Sequence, residues 1–170
     1  MNLFLLRHAK ACARSPKWRP DGTRPLTREG EKKMFSVARG IQSLELSFDL
    51  ILTSPYLRAF RTAEILGEVL ESKKMFETKN LIAEAEPRAV IDEINENFSD
   101  LTQIVLVGHE PFLSRLISVL LSGRDDLSIE LRKGGFCKLS IKKLCFGRCA
   151  CLDWLMTPRQ LARLAKGLKK

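Results

Sequence analysis

Three short apolar segments, each followed by a polar turn and an amphipathic helical pattern, constrain the fold of this chain more than any other feature. They cover residues 3–6, 50–52 and 104–107. Short runs that are apolar throughout are typical of strands buried on both faces. Because these strands alternate with helices, the sequence predicts a three-layer α/β/α fold, in which helices cover both faces of a mostly parallel central sheet.

Helix-start signals follow each of the predicted strands. Thr27 is a predicted N-cap, with acidic residues in the first turn behind it. Ser54 is predicted to cap a second helix in which Pro55 takes the first position. The remaining helices are predicted over residues 87–96, after residue 111, and after Thr157-Pro158, the last with Leu161, Leu164 and Leu168 on one side.

Two further segments are predicted to extend the sheet. A weaker strand is expected near residues 79–82, and the turn signals within residues 128–155 predict antiparallel strands at an edge of the sheet. The chain length of 170 residues is sufficient for a substantial core without a disulfide or metal. We therefore expect one domain over residues 1–170.

Polar and charged side chains follow each of the three apolar strands. The first strand ends in Arg7 and His8, the second is followed by Arg58 one turn into its helix, and the third ends in Gly108 and His109. In an open α/β sheet, ligands bind beyond the carboxyl ends of the strands. Both histidines of the chain stand at such ends, so we expect these side chains to converge on one site.

These residue types suit phosphoryl transfer. Imidazole is a competent covalent nucleophile, guanidinium groups bind phosphate oxygens with a planar fork of donors, and helix N-termini offer backbone N–H groups to anions. Such a set can position and neutralise a phosphoryl group without a metal or other cofactor. Each residue alone also has a structural explanation. His8 can be a buried, hydrogen-bonded histidine, His109 can serve only to satisfy the backbone of its turn, and Arg58 can be a surface helix residue.

Four sequence blocks occur in order along the chain: Leu6-Arg7-His8-Ala9, Arg24-Pro25-Leu26-Thr27-Arg28-Glu29-Gly30, Thr53-Ser54-Pro55-Tyr56-Leu57-Arg58-Ala59-Phe60-Arg61-Thr62-Ala63 and Val107-Gly108-His109-Glu110-Pro111. Together they resemble the signature of the histidine phosphatase (phosphoglycerate mutase-like) superfamily. Residues 154–161 are also similar to the end of its short SixA-like branch, the phosphohistidine phosphatases.

The resemblance implies a role for each matched residue. His8 would accept the phosphoryl group, Arg7 and Arg58 would hold its oxygens, and His109 would stabilise charge in the transition state. Arg24 would contribute to substrate binding. The superfamily fold is phosphoglycerate mutase-like, and its members need no metal.

The proton donor to the leaving group is less defined. Many superfamily members carry a carboxylate after the next strand, where this chain has Glu84 and Glu86. Glu84 matches the position better, but either residue can equally be a solvated loop residue. A phosphohistidine substrate needs such an acid less, because imidazole leaves more readily than an alkoxide.

The charge balance favours anionic partners. Lys and Arg number 29 against 20 Asp and Glu, a formal net charge of +9. The leading expectation is a phosphorylated protein carrying phosphohistidine. The alternatives are a small phosphomonoester, or a module that binds phosphate or phosphoprotein without turnover. Nucleic acid is disfavoured because no nucleic-acid-binding motif is present and aromatic residues make up only 7% of the chain.

The remaining features give expectations about location and surface. No segment has the length of a signal sequence core or a membrane span, so we expect a cytoplasmic monomer that makes no membrane contact. The five cysteines are expected to be reduced, and a metal site in the 145–151 cluster is disfavoured by its spacing. The loop over residues 10–25 is unusually basic; it either docks an acidic phosphoprotein or is simply solvated.

Overall fold

The computed structural model describes residues 1–72 and 74–167, which form one mixed sheet with helices on both faces. Leu168, predicted on the last helix, lies outside the described residues. The strands within this part of the chain are β1 (Asn2–Arg7), β2 (Leu50–Thr53), β3 (Met75–Glu77), β4 (Gln103–Gly108), β5 (Phe136–Ile141) and β6 (Ala150–Met156). The helices are α1 (Arg28–Gln42), α2 (Leu57–Leu70), α3 (Pro87–Asn97), α4 (Phe112–Ser122) and α5 (Pro158–Gly167).

The sheet is parallel through its centre and antiparallel at one edge. Its strand order is β3-β2-β4-β1-β5-β6. The strands β3, β2, β4 and β1 run parallel to their neighbours, whereas β5 runs antiparallel to β1 and β6 antiparallel to β5. The prediction of a mostly parallel sheet with antiparallel edge strands is therefore confirmed.

Alternate residues of the central strands bury into two separate cores. On one face, Phe4 and Leu6 of β1 pack with apolar residues of α1, α2 and α5. On the other face, Leu3 and Leu5 pack with those of α3 and α4. Both faces are buried because every position of the strand core carries an apolar side chain, which confirms the three-layer architecture.

Two of the predicted helix caps are present in the structure. Thr27 accepts a hydrogen bond from the backbone N–H of Gly30 (2.9 Å), and Thr157 accepts one from Gln160 (3.3 Å). The close approach of α1 and α5 requires a glycine, since a Cβ at Gly40 would stand 1.9 Å from the carbonyl oxygen of Leu161.

The predicted start of the second helix is wrong. Helix α2 begins at Leu57, with Tyr56 as its N-cap residue, and Pro55 lies outside it. The Ser54 hydroxyl does accept a hydrogen bond from the backbone N–H of Tyr56 (3.3 Å). However, it also bonds to a histidine ring, so its position is set by the functional site as well as by the turn.

The predicted strand at residues 79–82 is also wrong. The edge strand β3 lies earlier, at Met75–Glu77, and Lys79–Leu81 forms a single 3-10 turn. The hydroxyl of Thr78 accepts a hydrogen bond from the backbone N–H of Asn80 (3.1 Å), which favours the turn over an extended strand.

None of the helices in the described part of the chain is both long enough and apolar enough to cross a membrane.

Candidate active site

The carboxyl ends of two adjacent central strands bring the histidines together. Arg7 at the end of β1 is in register with Gly108 at the end of β4, and the next residues in each chain segment are His8 and His109. Their ring centroids lie 5.0 Å apart. Two of the three strand ends expected to converge therefore do so.

The His8 ring is fixed by its own backbone neighbourhood. Its Nδ1 lies 2.7 Å from the carbonyl oxygen of Ala9. Since a carbonyl oxygen only accepts, Nδ1 carries the proton and Nε2 keeps its lone pair. The residue is 6% exposed, and burial, followed by the nearby charges of Arg58 and Arg7, lowers the pKa of His8 to about 3. The ring is accordingly neutral near pH 7.

His109 is buried, and only one of its two ring nitrogens has a hydrogen-bond partner among the described residues. Its Nε2 lies 2.8 Å from the hydroxyl oxygen of Ser54, while its Nδ1 is buried without a hydrogen-bond partner among the described residues. Burial, together with the neighbouring His8 and Arg58, lowers the pKa of His109 to about 2. The Ser54 hydroxyl accepts from Tyr56 and can in addition donate to Nε2. With that direction of the bond, the ring proton of His109 stands on Nδ1, which is then an N–H donor.

Two arginines border the histidine pair. Arg7 donates from Nη1 to the carbonyl oxygen of Leu131 (2.9 Å), and Arg58 is 4% exposed at the start of α2. The Nε atoms of both arginines are buried without a partner among the described residues. Burial lowers the pKa of each, but guanidinium groups remain charged at physiological pH. The pair therefore offers unused N–H donors beside the histidines.

A threonine links the two halves of this arrangement. Its hydroxyl oxygen accepts from the backbone N–H of Ala9 (3.1 Å) and its hydroxyl donates to the carbonyl oxygen of Arg58 (2.6 Å). This residue is Thr62, fully buried on α2. The turn that carries His8 is thereby fastened to the helix that carries Arg58.

Arg24 lies next to the site, and each of its three guanidinium nitrogens makes one hydrogen bond. It donates to Asp21 from Nε (3.0 Å) and Nη2 (3.4 Å) and to the carbonyl oxygen of Cys12 from Nη1 (3.0 Å). Its expected part in substrate binding stays a prediction. Asp21, which sequence reasoning missed, also pairs with Arg58 at 3.0 Å.

An open groove lies beside the buried pair, and we call it the entrance groove. It contains the predicted Glu84, which is exposed, whereas Glu86 is ion-paired with Arg115 at 3.1 Å outside it. The proton-donor role of either residue stays a prediction. The groove is lined by Arg14, Ser15, Pro16, Trp18, Arg19, Asp21, Tyr56 and Glu84.

The arrangement can bind and attack a tetrahedral dianion. Two permanent cations and a neutral N–H donor surround a neutral imidazole whose Nε2 lone pair is not used within the described residues. Positive charge draws in a phosphoryl group and neutralises its oxygens. The neutral imidazole beside it is in the form that nucleophilic attack requires.

The cysteine cluster is remote from this arrangement. Cys145, Cys149 and Cys151 lie in or beside the hairpin that joins β5 and β6, and all are free thiols. Within residues 1–72 and 74–167, no three His, Cys, Asp or Glu side chains are grouped as metal ligands would be.

Comparison with known proteins identifies relatives for both the sequence and the fold. The family model described as histidine phosphatase superfamily (branch 1) matches residues 3–85. An uncharacterized protein of Picosynechococcus is 35% identical over 138 residues, which cover 79% of this chain and 82% of that one. Phosphohistidine phosphatase SixA of Escherichia coli K12 is 25% identical over 128 residues, covering 72% and 76% of the two chains.

Solved structures share the fold at lower identity. The protein histidine phosphatase SixA complexed with tungstate superposes with a TM-score of 0.83 at 21% identity, covering 95% of this chain and 99% of that one. A phosphoserine phosphatase of Entamoeba histolytica gives a TM-score of 0.68 at 17% identity, covering 94% and 98%. These likenesses confirm the predicted phosphoglycerate mutase-like fold.

Proposed function

Because the chain belongs to the histidine phosphatase superfamily, in the SixA-like branch, we propose that it removes phosphate from protein phosphohistidine through a phosphohistidine intermediate on His8. The observation that carries this proposal is the state of the His8 ring. Its Nδ1 is tied to the Ala9 carbonyl at 2.7 Å, its pKa is lowered to about 3, and its Nε2 faces no competing partner among the described residues. A neutral ring held in this tautomer is ready to act as a nucleophile.

In the first step, the Nε2 lone pair of His8 attacks phosphorus. The Nε2–P bond forms while the bond from phosphorus to the substrate nitrogen breaks, and the departing imidazole keeps the electron pair and takes up a proton. Arg7, Arg58 and the Nδ1–H of His109 neutralise the oxygens as charge spreads over them.

In the second step, water attacks the phosphorus held on His8. An O–P bond forms, the Nε2–P bond breaks and its electron pair returns to Nε2. The proton that the water loses passes to a phosphate oxygen or to solvent. The products are inorganic phosphate and neutral His8. The same donors serve both steps, because the phosphoryl oxygens stay in place while the nucleophile and leaving group exchange.

A protein substrate is supported by the form of the entrance. The groove is open and contains exposed cations, Arg14 and Arg19, beside the aromatic side chains Trp18 and Tyr56. A phosphate on another protein's surface needs such an open approach. The similarity to a phosphohistidine phosphatase over 72% of the chain points the same way.

A small phosphomonoester is the second candidate, and Glu84 is the observation that favours it. An exposed carboxyl group at the groove is where an alkoxide leaving group needs a proton. A structural neighbour with a TM-score of 0.68 is a phosphoserine phosphatase.

The test compares wild type with His8→Asn, after brief incubation with a phosphohistidine protein and, separately, with p-nitrophenyl phosphate. Asn retains a side-chain donor for the Ala9 carbonyl but has no nucleophilic nitrogen. We expect acid-labile phosphate on wild type alone, measured by intact mass, and a loss of turnover in the variant of at least about 10³-fold.

The relative kcat/KM values of wild type assign the substrate class, with faster turnover of the phosphohistidine protein supporting the protein substrate. Undiminished turnover in His8→Asn would contradict the covalent mechanism. Phosphate binding by wild type without turnover of either substrate would replace the proposal by a non-catalytic binding module.

A further inference from the structure

The carboxylate of Asp21 occupies an unexpected place beside the phosphoryl-binding arginine. It stands at the start of a 3-10 turn, Asp21–Thr23, within the loop that joins β1 to α1. Residues 10–25 contain no other acidic residue. The single carboxylate of this strongly basic loop therefore lies against Arg58.

Asp21 holds Arg58 through two separate atoms. The backbone carbonyl oxygen of Asp21 accepts from Nη1 of Arg58 (2.9 Å), and its carboxylate Oδ2 lies 3.0 Å from Nη2. Two contacts to different nitrogens of a planar group fix its plane as well as its position. A guanidinium carries five N–H donors, so three remain, including the buried Nε that has no partner among the described residues.

The position of the Arg58 guanidinium depends on this contact because the side chain is buried. The side chain of Arg58 is only 5% exposed, and water is therefore not available to replace a lost partner. Asp21 is the only carboxylate that forms an ion pair with Arg58 in the described part of the chain. A buried cation without its counter-charge is strongly disfavoured, so Arg58 would move or tilt if Asp21 lost its charge.

Asp21 is itself held in place by a second arginine and by the packing of its turn. Arg24 donates to the carboxylate at 3.0 Å and to the carbonyl oxygen of Cys12 at 3.0 Å. The turn lies directly on Tyr56, since a Cβ at Gly22 would be 3.1 Å from that ring. The loop, Asp21 and Arg58 thus form one connected chain of contacts.

The charges around Asp21 determine whether its carboxylate weakens or strengthens phosphate binding. A carboxylate near an anion site repels the anion, but Asp21 is surrounded by three guanidinium groups, those of Arg14 (3.7 Å), Arg24 (3.0 Å) and Arg58 (3.0 Å). The local charge stays positive, so repulsion is weak. Loss of the carboxylate contact, one of the two contacts that fix the plane of Arg58, is the larger effect.

We propose that Asp21 is a positioning residue, which sets the orientation of Arg58 for phosphoryl binding and connects the basic loop to the site. This deepens the proposed function and rests on it, because it takes the Arg58 site to be the one that receives phosphate. The carboxylate acts through Arg58, with which it forms its buried ion pair.

A double-mutant cycle on phosphate affinity tests the proposal. The affinity of inorganic phosphate is measured by titration calorimetry for wild type, Asp21→Asn, Arg58→Met and the double variant. We expect Asp21→Asn to raise the Kd about 10-fold in the wild-type background, and by less than about twofold when Arg58 is already replaced. Asp153→Asn is the matched control, because Asp153 is paired with Lys138 at 2.9 Å at the far edge of the sheet; its Kd should equal that of wild type.

Other results overturn the proposal. Unchanged or tighter phosphate binding by Asp21→Asn would mean that repulsion outweighs positioning, and equal weakening in both backgrounds would mean that Asp21 does not act through Arg58. Absence of phosphate binding by wild type would remove the site altogether. If Arg58→Met does not fold, as judged by circular dichroism, Arg58→Gln takes its place. If wild type binds phosphate but turns over no substrate, the proposed function is wrong. The Kd values of the double-mutant cycle can still be measured in that case, so the role of Asp21 is tested separately.

Discussion

The floor of the site and the entrance groove are built in opposite ways. In the floor, His8, His109 and Arg58 are at most 6% exposed and rest on the ends of parallel strands and a helix. In the groove, the side chain of Arg14 is 84% exposed and its ion pair with Asp21 is 3.7 Å long. Buried hydrogen bonds fix the floor, whereas exposed ion pairs of this kind contribute little to rigidity.

We therefore expect the floor to determine the rate of phosphoryl transfer and the groove to determine which substrates bind well. Under the proposed function, the rigid and buried floor would stabilise the phosphoryl group whatever carries it. An exposed groove contacts only the rest of the substrate, and its side chains can adapt to different surfaces. Substitutions in the floor should therefore reduce turnover of all substrates alike, whereas substitutions in the groove should distinguish among them.

Among substitutions that leave the proposed nucleophile in place, the largest effect should come from His109→Gln. We expect kcat to fall about 10²- to 10³-fold, because a buried donor to the transition-state oxygens is displaced from a dry site. The fall should be similar for p-nitrophenyl phosphate and for a phosphohistidine protein. Steady-state kinetics on both substrates measures it, and the thermal midpoint shows whether the variant is folded. A loss of kcat for only one of the two substrates would mean that His109 acts in substrate recognition, as expected for groove residues.

A smaller and selective effect should come from Glu84→Gln. If Glu84 protonates the leaving group, kcat/KM should fall about 10²-fold for an alkyl phosphomonoester such as phosphoserine. The fall should be about threefold at most for p-nitrophenyl phosphate, whose leaving group needs little protonation. Both are measured by phosphate release.

Glu86→Gln is the matched control for this substitution. Glu86 lies two residues further along the same loop and pairs with Arg115 (3.1 Å) outside the groove. It should leave both rates unchanged. Equal losses in the two variants, or no loss with phosphoserine in either, would show that neither carboxyl group is the proton donor.

The central strands could be predicted from sequence because burial on both faces leaves a plain signal. Residues 3–6, 50–52 and 104–107 are apolar at every position, and all lie in the interior. The edge strand β3 carries no such signal: it is three residues long, and Phe76 within it is 55% exposed. This segment forms a strand because it pairs with β2 at the edge of the sheet, and its own composition does not predict a strand.

The site was partly predictable for a similar reason. Arg7 is the last residue of β1, His8 and His109 directly follow strand ends, and parallel strands bring those ends together. Asp21 lies 37 residues from its partner Arg58, and the contact depends on the path of a loop that has no periodic pattern. One clue was available, since Asp21 is the sole acidic residue within 10–25.

The smallest effect should come from the basic residues of the groove loop. Replacing Arg14, Lys17 and Arg19 together with Ala should raise the KM for a phosphohistidine protein about three- to tenfold, because long-range attraction of an acidic partner is reduced. The KM for p-nitrophenyl phosphate should stay the same, since that substrate reaches only the floor. The rise should diminish at high ionic strength, where exposed charges are screened.

The chain offers a matched control for this loss of three positive charges. Arg159, Arg163 and Lys166 are exposed on α5, a helix that packs against α1 and contributes nothing to the groove. Replacing these three with Ala removes the same net charge without touching the loop. An equal rise in KM for both triple variants would mean that overall charge attracts the substrate. A rise for the loop variant alone would locate the docking contact in the groove. An equal rise with p-nitrophenyl phosphate would contradict docking, because it would mean that the loop substitutions had disturbed the floor through Asp21.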